Sequence, residues 1–115
     1  MLVYEGEFDL SPIAATQHYN VAKDAATRAP ALAASEAEVA ASLSPEYAAP
    51  HALLCSITRS RGDIGRAEQE CNLALALYRK DPAASDTAVK SLARFMQRRG
   101  IRIRAQEFVD NNTGQ

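Results

Sequence analysis

The chain has 115 residues and a mass of 12.4 kDa, with 47% hydrophobic residues, 23% charged residues and a net charge of −1. This composition is typical of one globular domain and excludes a chain that is disordered throughout. Alanine contributes 23 residues, whereas glycine and proline contribute five each. Because alanine favours helices and β-branched residues are few, we expect an all-α protein.

The sequence predicts a protein without membrane span, metal or cofactor. No apolar run approaches the roughly 18 residues that a transmembrane helix needs. Residues 1–7 contain no basic segment, which argues against a signal peptide. Cys55 and Cys71 lie in apolar helical stretches without a Cys/His cluster, so we interpret them as small buried thiols, with a disulfide as the alternative. Together these features predict a cytoplasmic, reducing location.

The first half of the chain predicts an arm followed by two helices. Apolar and acidic residues alternate in residues 1–10, as in an extended segment. Ser11 and Pro12 are typical of a helix start, as N-cap and first helical residue. Pro30 ends this helix near residues 28–29, and a second helix is expected from about 31 to 43.

The second half predicts four further helices separated by turn residues. The third begins around Pro50 and ends at Gly62, a left-handed cap candidate. Asp63 caps the fourth helix, which Asp81 stops. The remaining boundaries are a fifth helix from Ser85 or Asp86 to Gly100, a sixth helix containing Ile103, Ala105, Phe108 and Val109, and a polar tail at 111–115.

Helix pairs recur along the chain with similar small residues. Gly62 and Gly100 are each followed five places later by alanine, Ala67 and Ala105. This pattern resembles the tetratricopeptide repeat family, whose unit has about 34 residues. Ala33 precedes Ala67 by one such unit length. The middle unit carries the resemblance at Leu54, Cys55, Gly62, Asp63, Ala67, Ala74, Leu75 and Pro82.

The resemblance implies three stacked helical hairpins over residues 11–110, with units at about 11–47, 48–82 and 83–110. Small residues at the helix crossings let the backbones approach closely. Leu2, Val3, Tyr4 and Phe8 of the arm are expected to cap one end of the stack. A closed up-and-down bundle of alanine-rich helices is the alternative architecture.

In this family the first helices of successive units line a concave groove that binds a peptide or a partner helix. The corresponding positions here are His18, Ala22, Ala25, Ala52, Ser56, Arg59, Lys90, Arg94 and Arg98. Lys90, Arg94 and Arg98 recur at i, i+4 and i+8, so they form one basic stripe suited to an acidic segment. The carboxylate-clamp pattern of the family is not met, because His18 and Ala22 stand in the first unit.

The sequence predicts an interaction protein rather than an enzyme. No nucleophile elbow, phosphate loop or metal motif accompanies the Ser, His and acidic residues, and His51 is interpreted as a packing residue. Small proteins of this kind resemble bacterial adaptors and secretion or assembly chaperones, including those that hold needle subunits of type III systems. The high alanine and arginine content is typical of a GC-rich bacterial source. We expect a protein partner with an acidic or amphipathic segment, and a homodimer is also compatible with this interpretation.

Charge is distributed unevenly, which supports a second hypothesis. Residues 1–50 carry two basic residues against seven acidic ones, and residues 51–115 carry eleven against seven. The most basic stretch, 79–104, has eight basic and two acidic residues. Nucleic-acid binding through this stretch is the alternative function, although the sequence pI of about 6.1 and the acidic first half disfavour it.

Overall fold

The computed structural model describes residues 9–104, which contain five α-helices and no strand. The helices are α1 (Ser11–Ala25), α2 (Pro30–Leu43), α3 (Ala48–Ser60), α4 (Ile64–Lys80) and α5 (Asp86–Arg99). The predicted all-α class is therefore confirmed. Among these residues no helix is long and apolar enough to cross a membrane.

Several helix ends follow from local sequence signals. The Asp63 carboxylate accepts a hydrogen bond from the Arg66 amide at 3.2 Å, and the Ser85 hydroxyl accepts one from the Ala88 amide at 3.3 Å, so both residues are N-caps. Gly62 and Gly100 have φ of +87° and +70°, the left-handed conformation that closes a helix at its C-terminal end. These predicted boundaries are confirmed.

The beginning of the first helix differs from the prediction. Leu10 is the N-cap, and Ser11 is already the first helical residue. The Ser11 amide donates a hydrogen bond to the Asp9 carboxylate at 3.0 Å. The helix ends at Ala25, earlier than expected, and a turn carries the chain to Pro30. Most of the arm, residues 1–8, lies outside the described residues, so its predicted capping role stays a prediction.

The predicted sixth helix does not include Ile103, because residues 101–104 run without regular structure along α4. Ile101 is buried in the core, and the Asn72 amide donates to the Arg102 carbonyl at 2.9 Å while its oxygen accepts from the Arg104 amide. The Asn72 side chain thus forms the hydrogen bonds that these backbone groups would otherwise form within a helix. Ala105, Phe108, Val109 and the tail at 111–115 lie beyond the described part.

Consecutive helices pack against each other as antiparallel neighbours. The most extensive contacts join α1 to α2 and α3 to α4, so the short turns close two hairpins. Smaller contacts join α2 to α3 and α4 to α5, and α1 touches α3 only slightly. The contacts between helices therefore follow their order along the chain.

The core consists of two clusters that meet at α3. One cluster joins Ala22 and Ala25 of α1, Ala33 and Ala37 of α2, and Leu54 and Ile57 of α3. The other joins Cys55 of α3 and several residues of α4 to Leu92 and Met96 of α5 and to Ile101. Because α3 contributes to both clusters, it couples the two hairpins to each other and to α5.

Buried positions of the first hairpin recur in the second hairpin at a constant offset. Each buried residue of α1 is separated from its counterpart in α3 by the same number of residues. The buried residues of α2 and their counterparts in α4 likewise share one separation. The buried pairs are Ala22 and Cys55, Ala25 and Thr58, Ala33 and Ala67, Ala37 and Cys71, and Ala40 and Ala74. The two hairpins thus bury small side chains at matching places where their backbones cross.

The two cysteines form a disulfide, so their interpretation as free thiols is wrong. Cys55 and Cys71 are fully buried, and their Cα atoms lie 5.2 Å apart across the α3–α4 crossing. This separation lies within the range that a disulfide requires. The small-residue crossing brings the helices close enough for the bond, which is why two buried cysteines at this place become partners.

Candidate functional site

An open cleft of about 350 Å³ lies among α1, α3, α4 and α5. Small side chains line it, including Ala52 and Ser56 of α3. Three aromatic residues also line it, namely Tyr19 of α1, Tyr78 of α4 and Phe95 of α5. The cleft thus combines small, aromatic and polar side chains, a composition suited to contact with a protein segment.

Two of the residues that line the cleft, Tyr19 and Tyr78, carry a phenol group. The rings of Tyr19 and Tyr47 pack edge to face with centroids 5.6 Å apart. Burial raises the pKa of Tyr19 and of Tyr78 above the ordinary value of 10.0, with neighbouring tyrosines adding to the effect. Both phenols consequently stay neutral in physiological solution and can donate hydrogen bonds to a bound segment.

Basic side chains gather near the C-terminal ends of α1, α3 and α5. Lys23 lies over the Tyr19 ring at 5.5 Å, and the Arg99 guanidinium lies over the Phe95 ring at 5.3 Å. Arg59 donates from Nε to the Arg99 carbonyl oxygen at 3.0 Å, which ties α3 to α5 beside the cleft. These cations favour a ligand that carries negative charge at this end.

The structure brings together part of the predicted groove. Ala52 and Ser56 line the cleft as predicted positions, and Arg59 lies at its end with the contact to Arg99. Ala22 and Ala25, in contrast, are buried in the core between α1, α2 and α3, and they offer no surface to a partner.

His18 belongs to the contact between α1 and α2 rather than to the cleft. Its Nδ1 lies 2.6 Å from Oε1 of Glu36, with 41% of the His18 side chain exposed. The equivalent pair in the second hairpin is His51 and Glu70, 2.7 Å apart, and there only 13% of the His51 side chain is exposed. The interpretation of His51 as a packing residue agrees with this burial.

The basic stripe of Lys90, Arg94 and Arg98 is exposed on α5 and does not line the cleft. The residues of α5 that do line it include Ser91 and Phe95. Rotation of about 100° per residue places the centre of the stripe about 120° around the helix from the lining face. Within residues 9–104 the stripe makes no ion pair, so it forms a positively charged edge beside the cleft.

A network of charged residues that joins α2, α3 and α4 was not predicted from the sequence. Arg66 donates to Glu38 of α2 at 2.9 Å and to Glu70 at 3.2 Å, so it joins both hairpins. Burial acts to raise the pKa of Glu70, but the bonds and charges of His51 and Arg66 outweigh it and hold that pKa below the ordinary 4.5. The recurrence of a His–Glu pair at equivalent places in the two hairpins is the signal that could have revealed part of this network.

A second depression of about 370 Å³ lies between the start of α1, the turn from α2 to α3 and the end of α4. Pro12, Ser44, Tyr47 and Pro82 are among its lining residues. It contains fewer aromatic groups than the cleft. No group of three or more His, Cys, Asp and Glu side chains between residues 9 and 104 could hold a metal ion.

Comparison with known proteins adds no family assignment. No protein-family model, curated protein or solved structure matches the chain.

Proposed function

We propose that the protein is a non-enzymatic interaction module that holds an amphipathic segment of another protein in the cleft. The main support for this proposal is the cleft, in which apolar and aromatic side chains from α1, α3, α4 and α5 come together beside the basic stripe. An apolar helix face would pack between Tyr19, Tyr78 and Phe95. Acidic residues on the flank of the same helix would meet the basic stripe.

Within this proposal the helices form a short stack of tetratricopeptide-like hairpins. The matching burial at a constant offset between the hairpins supports it, as does the order of contacts along the chain. Alternate helices on one side then form a concave surface, in which Ala52 and Ser56 occupy central positions. A role as a bacterial adaptor or as a secretion or assembly chaperone is the narrower form of the proposal, which rests on analogy of size and architecture.

The cytoplasmic location stays a prediction, and one of the arguments for it no longer holds. It relied in part on reduced cysteines, whereas Cys55 and Cys71 are joined by a disulfide. Disulfides form and persist mainly in oxidising compartments.

Site-specific photo-crosslinking in the native host tests the binding proposal. A photoreactive phenylalanine analogue at Ser56, in the cleft, should crosslink to one other protein. The same group at Ser42, exposed on α2, should not yield that product. Adding Ser91→Glu to the Ser56 probe should abolish the crosslink, because it places a negative charge in the cleft, whereas Ser42→Glu should leave it unchanged. A Ser56 crosslink that resists Ser91→Glu, or none at all, would contradict the proposal.

Nucleic-acid binding remains the second candidate, because the basic stripe makes no ion pair within residues 9–104. Fluorescence anisotropy with labelled duplex DNA and RNA distinguishes the two functions. Micromolar binding that weakens steeply with salt would support this candidate. Absence of binding at low salt would remove it.

A further inference from the structure

The cleft shares part of its lining with the core cluster that contains the disulfide between α3 and α4. Leu92 lines the cleft and is a member of that cluster, and Ala52 lines the cleft and packs against it. Tyr78 and Phe95 also belong to the cleft lining and pack against the same cluster. A change in the packing around the disulfide therefore reaches the side chains that line the cleft.

The surroundings of the two sulfur atoms are closed to solvent. Cys55 and Cys71 are 0% exposed, and so are Leu75 and Met96 of the same cluster. The Cα atoms of the two cysteines lie 5.2 Å apart, where the two helices cross. Because protein interiors are close-packed, side chains at such a place cannot change volume without displacing their neighbours.

Reduction of the disulfide changes the space that the sulfur atoms need. Bonded sulfur atoms lie about 2 Å apart, whereas non-bonded heavy atoms keep a separation of about 3.5 Å or more. A dithiol reductant transfers two electrons and two protons to the bond, so two thiols form and the reductant becomes a cyclic disulfide. The two thiols then push apart the side chains packed around the crossing.

We propose that the disulfide holds the cleft in its described shape and that reduction by a dithiol displaces Tyr78 and Phe95. The oxidised chain is then the form whose cleft accepts a partner segment. This consequence for binding rests on the proposed function, whereas the change in the shape of the cleft does not. Because both sulfur atoms are buried, the reductant reaches the bond only when the α3–α4 hairpin opens.

NMR spectra of the aromatic side chains of the full-length chain, oxidised and reduced, test this assignment without any partner. The reduced chain is prepared by unfolding in urea with dithiothreitol and refolding in its presence, and a thiol reagent then counts two thiols in the unfolded sample. The ring signals of Tyr78 and Phe95 should shift on reduction, because both rings pack against the cluster around the sulfur atoms.

The matched control is the variant Cys55→Ala with Cys71→Ala. Alanine occupies both equivalent places in the first hairpin, where Ala22 and Ala37 are fully buried, so the variant should keep the crossing. It contains no bond for the dithiol to reduce. Its ring signals should therefore be the same with and without dithiothreitol.

Two results would overturn the proposal. One is a chain with two free thiols whose ring signals equal those of the oxidised chain. The other is a reduced chain without its helical circular dichroism signal, because the bond would then hold the whole fold and not the cleft. If the rings shift on reduction but a photoreactive group at Ser56 captures no protein, the redox response is supported and only the proposed function is contradicted.

Discussion

The disulfide shows how a single side-chain position acquires a chemical role from its place at a helix crossing. Cys55 and Cys71 occupy the same crossing in the second hairpin that Ala22 and Ala37 occupy in the first. Apolar helical spacing predicted that both cysteines are buried. Spacing within each helix could not determine how closely the two helices approach, so the sequence offered the disulfide only as the alternative to free thiols.

Replacing both cysteines with alanine should lower the free energy of unfolding by about 3 kcal/mol, since the bond spans 16 residues and restricts the unfolded chain. Alanine fits the crossing, as Ala22 and Ala37 demonstrate in the first hairpin. Urea unfolding of the oxidised chain and the variant measures the difference. Equal unfolding midpoints would contradict a stabilising bond.

Glu70 should make stability depend on pH in the acid range. Its pKa is lowered in the folded protein, since His51 and Arg66 outweigh burial, so Glu70 binds its proton less readily than in the unfolded chain. The stabilisation is therefore present above pH 4.5, the ordinary pKa, and is lost as pH falls through the lowered folded value.

Glu70→Gln should accordingly destabilise the protein most at neutral pH, and its difference from wild type should shrink below pH 4.5. Chemical unfolding at a series of pH values measures this trend. Gln69→Ala, an exposed change in the same helix that alters no titratable group, is the control and should show no such trend. A Glu70→Gln difference that is constant with pH would refute the linkage.

At the scale of the helices, the sequence predicts the helix ends from their capping residues and the helix crossings from their small side chains. Asp63, Ser85, Gly62 and Gly100 fix their boundaries by local hydrogen bonds and by φ, both of which a short stretch of sequence determines. The segment after α5 was harder to predict, because the path of residues 101–104 depends on Asn72, a residue distant in sequence.

The crossing alanines lead to a prediction about packing. Ala37→Leu should lower the free energy of unfolding by about 1–3 kcal/mol, because Ala37 is fully buried between α1, α2 and α3 and leaves no room for a larger side chain. Ala31→Leu, an exposed change in the same helix, should have little effect. Thermal or urea unfolding compares the two. A fully tolerated Ala37→Leu would show that close helix approach is not required.

The cleft was only partly predictable for a similar reason. Position in the repeat led to Ala52 and Ser56, which line it. Helical spacing also established that Lys90, Arg94 and Arg98 share one side of α5, but it could not fix the rotation of that helix against its neighbours. The aromatic lining comes from Tyr19, Tyr78 and Phe95, on three different helices, and only tertiary packing brings them together.

At the scale of the whole molecule, the chain presents different surfaces on different sides. The cleft lies among α1, α3, α4 and α5, the basic stripe borders it on α5, and Ile13 and Val21 are exposed on α1.

The most direct test of the account is NMR spectroscopy of the aromatic side chains during titration with the crosslinked segment, prepared as a synthetic peptide. Binding in the cleft predicts that the ring signals of Tyr19, Tyr78 and Phe95 shift together and saturate at one peptide per chain. Ring signals that stay unchanged, while signals of Lys90, Arg94 and Arg98 shift alone, would contradict the cleft as the binding site.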